Sequence, residues 1–232
     1  MKLAIMQPYI FPYIGYFQLI NAVDKFVIYD DVNFINKGWI NRNRILNNGK
    51  ESLFSIPLKE ASQNKLINEI EVNWDGAWKN KFLKTLEQCY KKSPFYHEVL
   101  TIIEETINLN NEPISKVIEN NLRLICHYLD IKTVIVSSSA IYQNTHLKAQ
   151  ERIIDICLIE KATQYINPIG GLELYDKASF EVQNIKMNFI KSNSVEYKQY
   201  KNEFVPWLSM IDVLMFNSKE RIKEILDNYE LV

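Results

Sequence analysis

Three observations predict an α/β layered fold with a largely parallel sheet. Short apolar runs alternate with helix-length amphipathic segments over residues 2–30 and again after residue 130. The stretch at about 75–130 between them is helical throughout, and 232 residues suffice to bury about 70% of the unfolded surface in one large domain. The expected organisation is one domain over 1–232 carrying a helical subdomain at 75–130.

"KLAIM" (2–6) is a short apolar run stopped at Pro8 and reads as a buried strand. "YIGYFQLINAVD" (13–24) reads as a helix that brings Ile14, Phe17 and Gln18 near one another, and "KFVIYD" (25–30) as the second strand. Together they make a β-α-β crossover close to the minimum length for such a unit. Between 32 and 58 the Asn47-Asn48-Gly49 turn separates two β-rich runs and predicts a hairpin, and "INEIEV" (67–72) predicts a further strand. From Asp75 to Asp130, Trp78, Phe82, Leu86 and Tyr90 recur at four-residue spacing, Ser93-Pro94 reads as a cap with a first-turn proline, and a second stripe runs from Ile114 to Leu129. These aromatics are placed as core. The alternation then resumes: strand at 132–139, helix at 148–162, strand at 163–171 ending in a tight Gly-Gly turn, strand at 185–190, and closing helices at 207–217 and 218–231, the last capped from Asn217-Ser-Lys-Glu220.

Composition narrows the function. Lys plus Arg is 27 against 28 Asp plus Glu, so there is no basic excess to drive nucleic-acid binding. Cys89, Cys126 and Cys157 lack CxxC spacing and read as reduced core thiols, which fits the cytoplasm. No apolar run reaches the length of a membrane span, and the N-terminal one is broken by Gln7, Pro8 and Pro12. His97, His127 and His146 are too scattered for a zinc site, and no metal is expected. GxSxG, Walker and GxGxxG signatures are missing, so no motif requires a cofactor.

In open α/β sheets, ligands bind outside the carboxyl ends of the strands. Three distinctive loops should meet there: Gln7-Pro8-Tyr9, Asp30-Asp31, and Asn167-Pro168-Ile169-Gly170-Gly171. In the first, Pro8 and Pro12 stiffen the connection, Gly15 permits close approach at the start of a helix, and Tyr9, Tyr13 and Tyr16 offer aromatic faces and hydroxyls. Gln7 is an amide at a buried strand end and needs partners. Asp30 and Asp31 can hold a cation, accept from a ligand hydroxyl or amine, or pair with Lys37, Arg42 and Arg44; adjacent strand residues face opposite ways, so one of the two should serve a given site. In "KGWINRNRI" (37–45), Arg42 and Arg44 share a strand face suited to forking onto phosphate or carboxylate, with Asn41 and Asn43 between apolar residues. Gly170-Gly171 reads either as an anion-binding nest or as an ordinary turn.

The segment "MQPYIFPYIGYFQLINAVDKFVIYDDVNFINKGWINRNRI" (6–45) resembles the opening signature of the WbqC-like family. The likeness continues through "SIPL" (55–58), "ERIIDIC" (151–157), the Pro-x-Gly-Gly loop with "LELYD" (172–176), and "EYKQYKNEFVPWLSMIDVLMFNS" (196–218). The resemblance implies a transferase of surface polysaccharide (O-antigen) biosynthesis that moves a glycyl, other aminoacyl or acyl group onto the amino group of a nucleotide-linked amino sugar. For such a step, Asp30, Asp31, Asn41 and Tyr13 are the catalytic candidates. Gln7, Tyr9, Gly15, Tyr16, Gln18, Lys37, Arg42, Arg44, Gly170, Gly171, Tyr175, Tyr197, Gln199, Ser209 and Asp212 are the substrate-binding candidates. A looser likeness is to the HIGH-type nucleotidylyltransferases, which implies a Rossmann-like (HUP-like) sheet. Tyr13 and Tyr16 stand around Gly15 where that family places two histidines. The alternatives are therefore an ATP-dependent nucleotidyl or adenylyl transferase of that type, or a non-catalytic scaffold of a polysaccharide-assembly complex.

Overall fold

The computed structural model describes residues 1–201 and 203–232. The strands are β1 (Lys2–Met6), β2 (Lys25–Ile28), β3 (Arg42–Asn47), β4 (Lys50–Ser55), β5 (Val134–Val136), β6 (Gln164–Pro168), β7 (Lys186–Ser192) and β8 (Tyr229–Leu231). The helices are α1 (Ile14–Asn21), α2 (Gly76–Tyr90), α3 (Tyr96–Ile107), α4 (Ile114–Tyr128), α5 (Ala149–Ile159), α6 (Lys177–Glu181), α7 (Met210–Phe216) and α8 (Lys219–Leu226). Six strands form one sheet in the order β5-β2-β1-β6-β7-β8, parallel except for β8, while β3 and β4 pair separately. This is a Rossmann-like sheet. From β1 the chain moves outward through β2 to β5, then crosses back to lay β6 on the other side of β1. The reversal opens a crevice between the carboxyl ends of β1 and β6.

Both faces of the sheet are covered, as a parallel sheet requires. Side chains alternate accordingly. Leu3, Ile5 and Val27 enter one cluster with Ile153, Ile156 and Phe180 from α5 and α6. Ala4, Phe26 and Ile28 enter a larger one with Phe17, Ile20, Leu122 and Ile211 from α1, α4 and α7. The three central helices α2, α3 and α4 share this second cluster, with Leu86, Ile103 and Ile118 fully buried in it. The hairpin turn forms as expected, with Asn48 and Gly49 at φ 49° and 76° between β3 and β4.

Several expectations are corrected. Residues 67–72 hold a 3-10 turn (Ile67–Glu69) and single bridges rather than a strand, because they run between the hairpin and α4 without a continuous partner. Ser93 closes α2, its hydroxyl donating to Tyr90 O at 2.7 Å, instead of opening α3, which starts at Tyr96. Gly170 and Gly171 lie in a 3-10 turn (Ile169–Leu174) and not in a tight turn. The segment at 207–217 becomes helical only at Met210, and Ser218, not Asn217, caps α8 by accepting from Arg221 N. The last helix stops at Leu226, and Tyr229–Leu231 adds an antiparallel edge strand to β7. A three-residue strand leaves no periodicity to read.

Candidate functional site

A cavity of about 510 Å³ occupies the crevice between β1 and β6. Gln7 and Tyr9 follow β1 into it, Tyr29 follows β2, and Asn167, Gly170, Gly171 and Tyr175 come from the end of β6 and the turn beyond it; Tyr13 and Trp39 complete the outer wall. Its polar groups are amides, phenols and the Trp39 indole, and among the described residues no charged side chain lines it. Burial raises the phenol pKa of Tyr9, Tyr13, Tyr29 and Tyr175 above the usual value, so these hydroxyls stay protonated and act as hydrogen-bond donors near neutrality. A second cavity of about 190 Å³, lined by Tyr9, Pro12, Tyr13, Trp39, Asn43, Arg44 and Trp207, adjoins the first across Tyr9, Tyr13 and Trp39.

Behind Tyr29 lies a layer of buried charge. Asp31 forms an ion pair with Arg152 of α5, each side chain 4% exposed, and also accepts from the Ser139 hydroxyl. Arg152 further donates from Nε to Asn144 Oδ1 at 2.8 Å and stacks 4.8 Å over the Tyr29 ring, with Nη1 3.4 Å from the phenol oxygen. The guanidinium thus approaches the Tyr29 oxygen as a donor and leaves its proton available to an acceptor in the cavity. Asp30 accepts from Ser138 Oγ at 2.6 Å; burial raises its pKa and the serine bond opposes the rise. Ser137 donates to Glu119 of α4 at 2.5 Å. Burial works upward on the Glu119 carboxyl, but bonds from Lys116, Ser137 and Arg123 outweigh it and leave it below its usual range. Each serine of the Ser137–Ser139 run therefore clamps one carboxylate at the sheet edge. Among the described residues no cluster of His, Cys, Asp and Glu is arranged to hold a metal, and no helix is long and apolar enough to cross a membrane.

A model of the WbqC-like protein family matches residues 7–224, nearly the whole length. The chain belongs to the WbqC-like family. It is also similar to the uncharacterized protein Rv1507c of Mycobacterium tuberculosis, 29% identical over 225 residues that span 93% of each chain. No solved structure matches it.

Within this WbqC-like protein the candidates from the sequence divide into three groups. Gln7, Tyr9, Tyr13, Tyr16, Gly170, Gly171 and Tyr175 line the larger cavity, although Tyr16 is almost fully buried and its hydroxyl is engaged by Gln7 O at 2.9 Å. Gly15 supports the wall, since a Cβ there would lie 2.4 Å from the Tyr13 ring and 2.6 Å from Ser192 Oγ. Arg44 lines the smaller cavity, pairing with Glu51 at 2.9 Å and lying 4.9 Å over the Trp39 ring.

The second group borders neither cavity. Asp30 and Asp31 sit one layer behind, and the base paired with Asp31 is Arg152, not Lys37, Arg42 or Arg44. Arg42 is held by its own loop, donating to Gly38 O at 2.8 Å and to Lys37 O, and Lys37 is exposed at φ 59°. Asn41 donates to Ile56 O at 2.8 Å at the base of the hairpin. Gln18 is fully buried and donates to Ile225 O and Asn228 O, fastening α1 to the end of α8.

The third group forms a mount. Asp212 of α7 is fully buried and accepts from Tyr90 OH at 2.8 Å, Tyr197 OH at 2.7 Å and Gln199 Nε2 at 2.7 Å. The Gln199 amide also exchanges bonds in both directions with the Val205 backbone. Ser209 is buried, its backbone N–H donating to Arg44 O. Together they fix the Val205–Pro206–Trp207 segment over Tyr13, where the Trp207 and Tyr13 rings meet edge to face at 6.2 Å.

Tyr29, Trp39, Arg152 and Trp207 escaped the sequence reading as site residues. Arg152 alone carried a usable signal: it stands one turn before Ile156, on the apolar stripe of its helix, where a charge needs a buried partner. Asn167 was visible as part of its loop, and Gly171 explains its position. A Cβ on Gly171 would lie 2.0 Å from Asn167 Nδ2. Gly171→Ala is therefore expected to push the Asn167 amide out of the cavity, lowering ligand affinity about tenfold, the scale of one lost hydrogen bond, and costing about 1–3 kcal/mol of stability as the buried Tyr165 hydroxyl loses Asn167 Oδ1. Calorimetric titration of both proteins checks this, and unchanged affinity would remove Asn167 from the site.

Proposed function

We propose that this protein is a transferase that forms an amide on the amino group of a nucleotide-linked amino sugar, using a glycyl, other aminoacyl or acyl donor. The observation that carries the reading is the uncharged, aromatic and amide-lined cavity at the β1–β6 crevice. A sugar ring offers C–H faces to aromatic walls and hydroxyls to amides and phenols, which is what Tyr9, Tyr175, Gln7, Asn167 and Tyr29 supply. In the step, the amine nitrogen attacks the acyl carbonyl carbon, the carbonyl π electrons move onto oxygen, and the bond to the donor's leaving group breaks as the oxyanion collapses. The amine proton leaves with that group or with water. Protonated phenols and amides suit the oxyanion as preorganised donors. Asp31 and Arg152 act as positioning residues that hold Tyr29, and Asp30 holds the adjoining Ser138 turn.

Thermal unfolding in the presence of nucleoside-diphosphate amino sugars, aminoacyl or acyl thioesters, and ATP tests the reading. A ligand at 100 times its Kd that binds only the native state stabilises it by about 2.7 kcal/mol. The expected result is a rise with an amino-sugar nucleotide that Gln7→Leu diminishes. A rise with ATP alone, accompanied by pyrophosphate release with an amino acid, would replace the transferase by the adenylyl-transfer reading.

A further inference from the structure

The smaller cavity differs from its neighbour in chemistry. Its walls are Tyr9, Pro12, Tyr13, Trp39 and Trp207, and among the described residues its one charged group is Arg44. Asn43 contributes bulk only, because its amide already donates to Ile10 O and Phe11 O and accepts from Arg44 N. Of the three bases in the 37–44 segment, Arg44 is the one that lines either of these two cavities. It uses Nη1 on Glu51, and among the described residues its Nε and Nη2 donate to no acceptor. A guanidinium lying over Trp39 with N–H groups to spare disfavours a cation and receives an anion, in a geometry suited to phosphate.

Trp207 is the second observation. It is 67% exposed at φ 61°, a backbone region that bulky residues avoid. The fold nevertheless holds it there, through the Gln199–Val205 bonds and the fully buried Asp212 beneath them. Neither core packing nor solvation explains a large aromatic side chain kept in water on an unfavourable backbone. Such an outlier beside a cavity points to a contact made with a ligand. Trp207 and Tyr13 offer aromatic surface to a flat ring in the same cavity that Arg44 lines.

We propose that this cavity is a mononucleotide subsite, in which a nucleobase lies against Trp207 and Tyr13 and a phosphate takes the free N–H groups of Arg44. The identity of the ring rests on the transferase reading above: Tyr9, Tyr13 and Trp39 belong to both cavities, so a nucleotide seated here points its distal phosphate and sugar into the larger one. Arg42 and Lys37 take no part in holding it.

Tryptophan fluorescence of the full chain, titrated separately with UMP, AMP, uridine and inorganic phosphate, tests the subsite. At least one mononucleotide is expected to quench emission saturably, with uridine and phosphate at least tenfold weaker. Arg44→Gln should weaken that mononucleotide tenfold or more, Arg42→Gln by less than threefold, and Trp207→Phe should remove most of the quenching while calorimetry still detects binding. Unliganded melting temperatures of the variants verify that each is folded. Binding of phosphate as tight as that of the mononucleotide, indifference to Arg44→Gln, or no saturable binding of either mononucleotide would overturn the proposal. Nucleotide binding that depends on Arg44 and quenches Trp207, without amide formation on any amino sugar, keeps the subsite and removes the transferase. Amide formation with nucleotide binding indifferent to Arg44→Gln does the reverse.

Discussion

Arg152→Met is expected to lower the unfolding free energy by about 3–5 kcal/mol, because it leaves the Asp31 carboxylate buried without its cation. The guanidinium is 4% exposed and also serves Asn144 and the Tyr29 ring, so a flexible apolar replacement fills the space but satisfies none of these groups. Urea unfolding checks the value. The companion variant Arg152→Met with Asp31→Asn should recover part of the loss, since a neutral amide is far less costly to bury than an unpaired carboxylate. A single-variant loss below about 1 kcal/mol would mean that water reaches Asp31, and that the pair is worth no more than a surface ion pair. The same variant frees Tyr29 in the cavity wall, so ligand affinity should fall together with stability.

Asp212→Ala is expected to destabilise the protein by about 3 kcal/mol or more, since it strands the hydroxyls of Tyr90 and Tyr197 and the Gln199 amide, each lost buried partner costing about 1–3 kcal/mol. The Val205–Trp207 segment would lose its anchor, and a lower tryptophan fluorescence anisotropy should accompany the loss. Among the described residues no cation touches this carboxylate. Burial raises its pKa above the usual 3.8, and the bonds from Tyr197, Tyr90 and Gln199 offset only part of the rise. The native state therefore binds the proton more tightly than the unfolded chain. The resulting stabilisation is fully present below pH 3.8 and is lost as pH rises through the higher native value. In chemical unfolding from pH 7 downward, wild type should gain on Asp212→Asn as the acid range is entered. A stability difference independent of pH would show that the native and unfolded pKa values coincide.

Much of the chain's architecture follows from local pattern. Apolar runs ending at Pro8, Asp30 and Pro168 are strands because both faces of a parallel sheet are buried, and the Asn-Gly turn at 48–49 closes a hairpin because its left-handed conformations match the strand twist. The convergence of the Gln7, Asp30–Asp31 and Asn167–Gly171 loops on one sheet edge follows from strands running parallel, a rule of topology that needs no coordinates. Tertiary packing determined what each residue does there. Asp31 finds Arg152, 121 positions along the chain, and Asp212 finds Tyr90, 122 positions away, and nothing local encodes such distant partners. Arg42 and Arg44 share a strand face, yet loop carbonyls capture one and a cavity receives the other. Trp207 reads as helix in sequence because its apolar neighbours continue the periodicity of α7, whereas the Gln199–Asp212 anchor holds it outside the helix and in solvent. Periodicity reports which way a side chain must face to be buried. Which groups then meet across the core depends on distances that only the packed sheet and its helices impose.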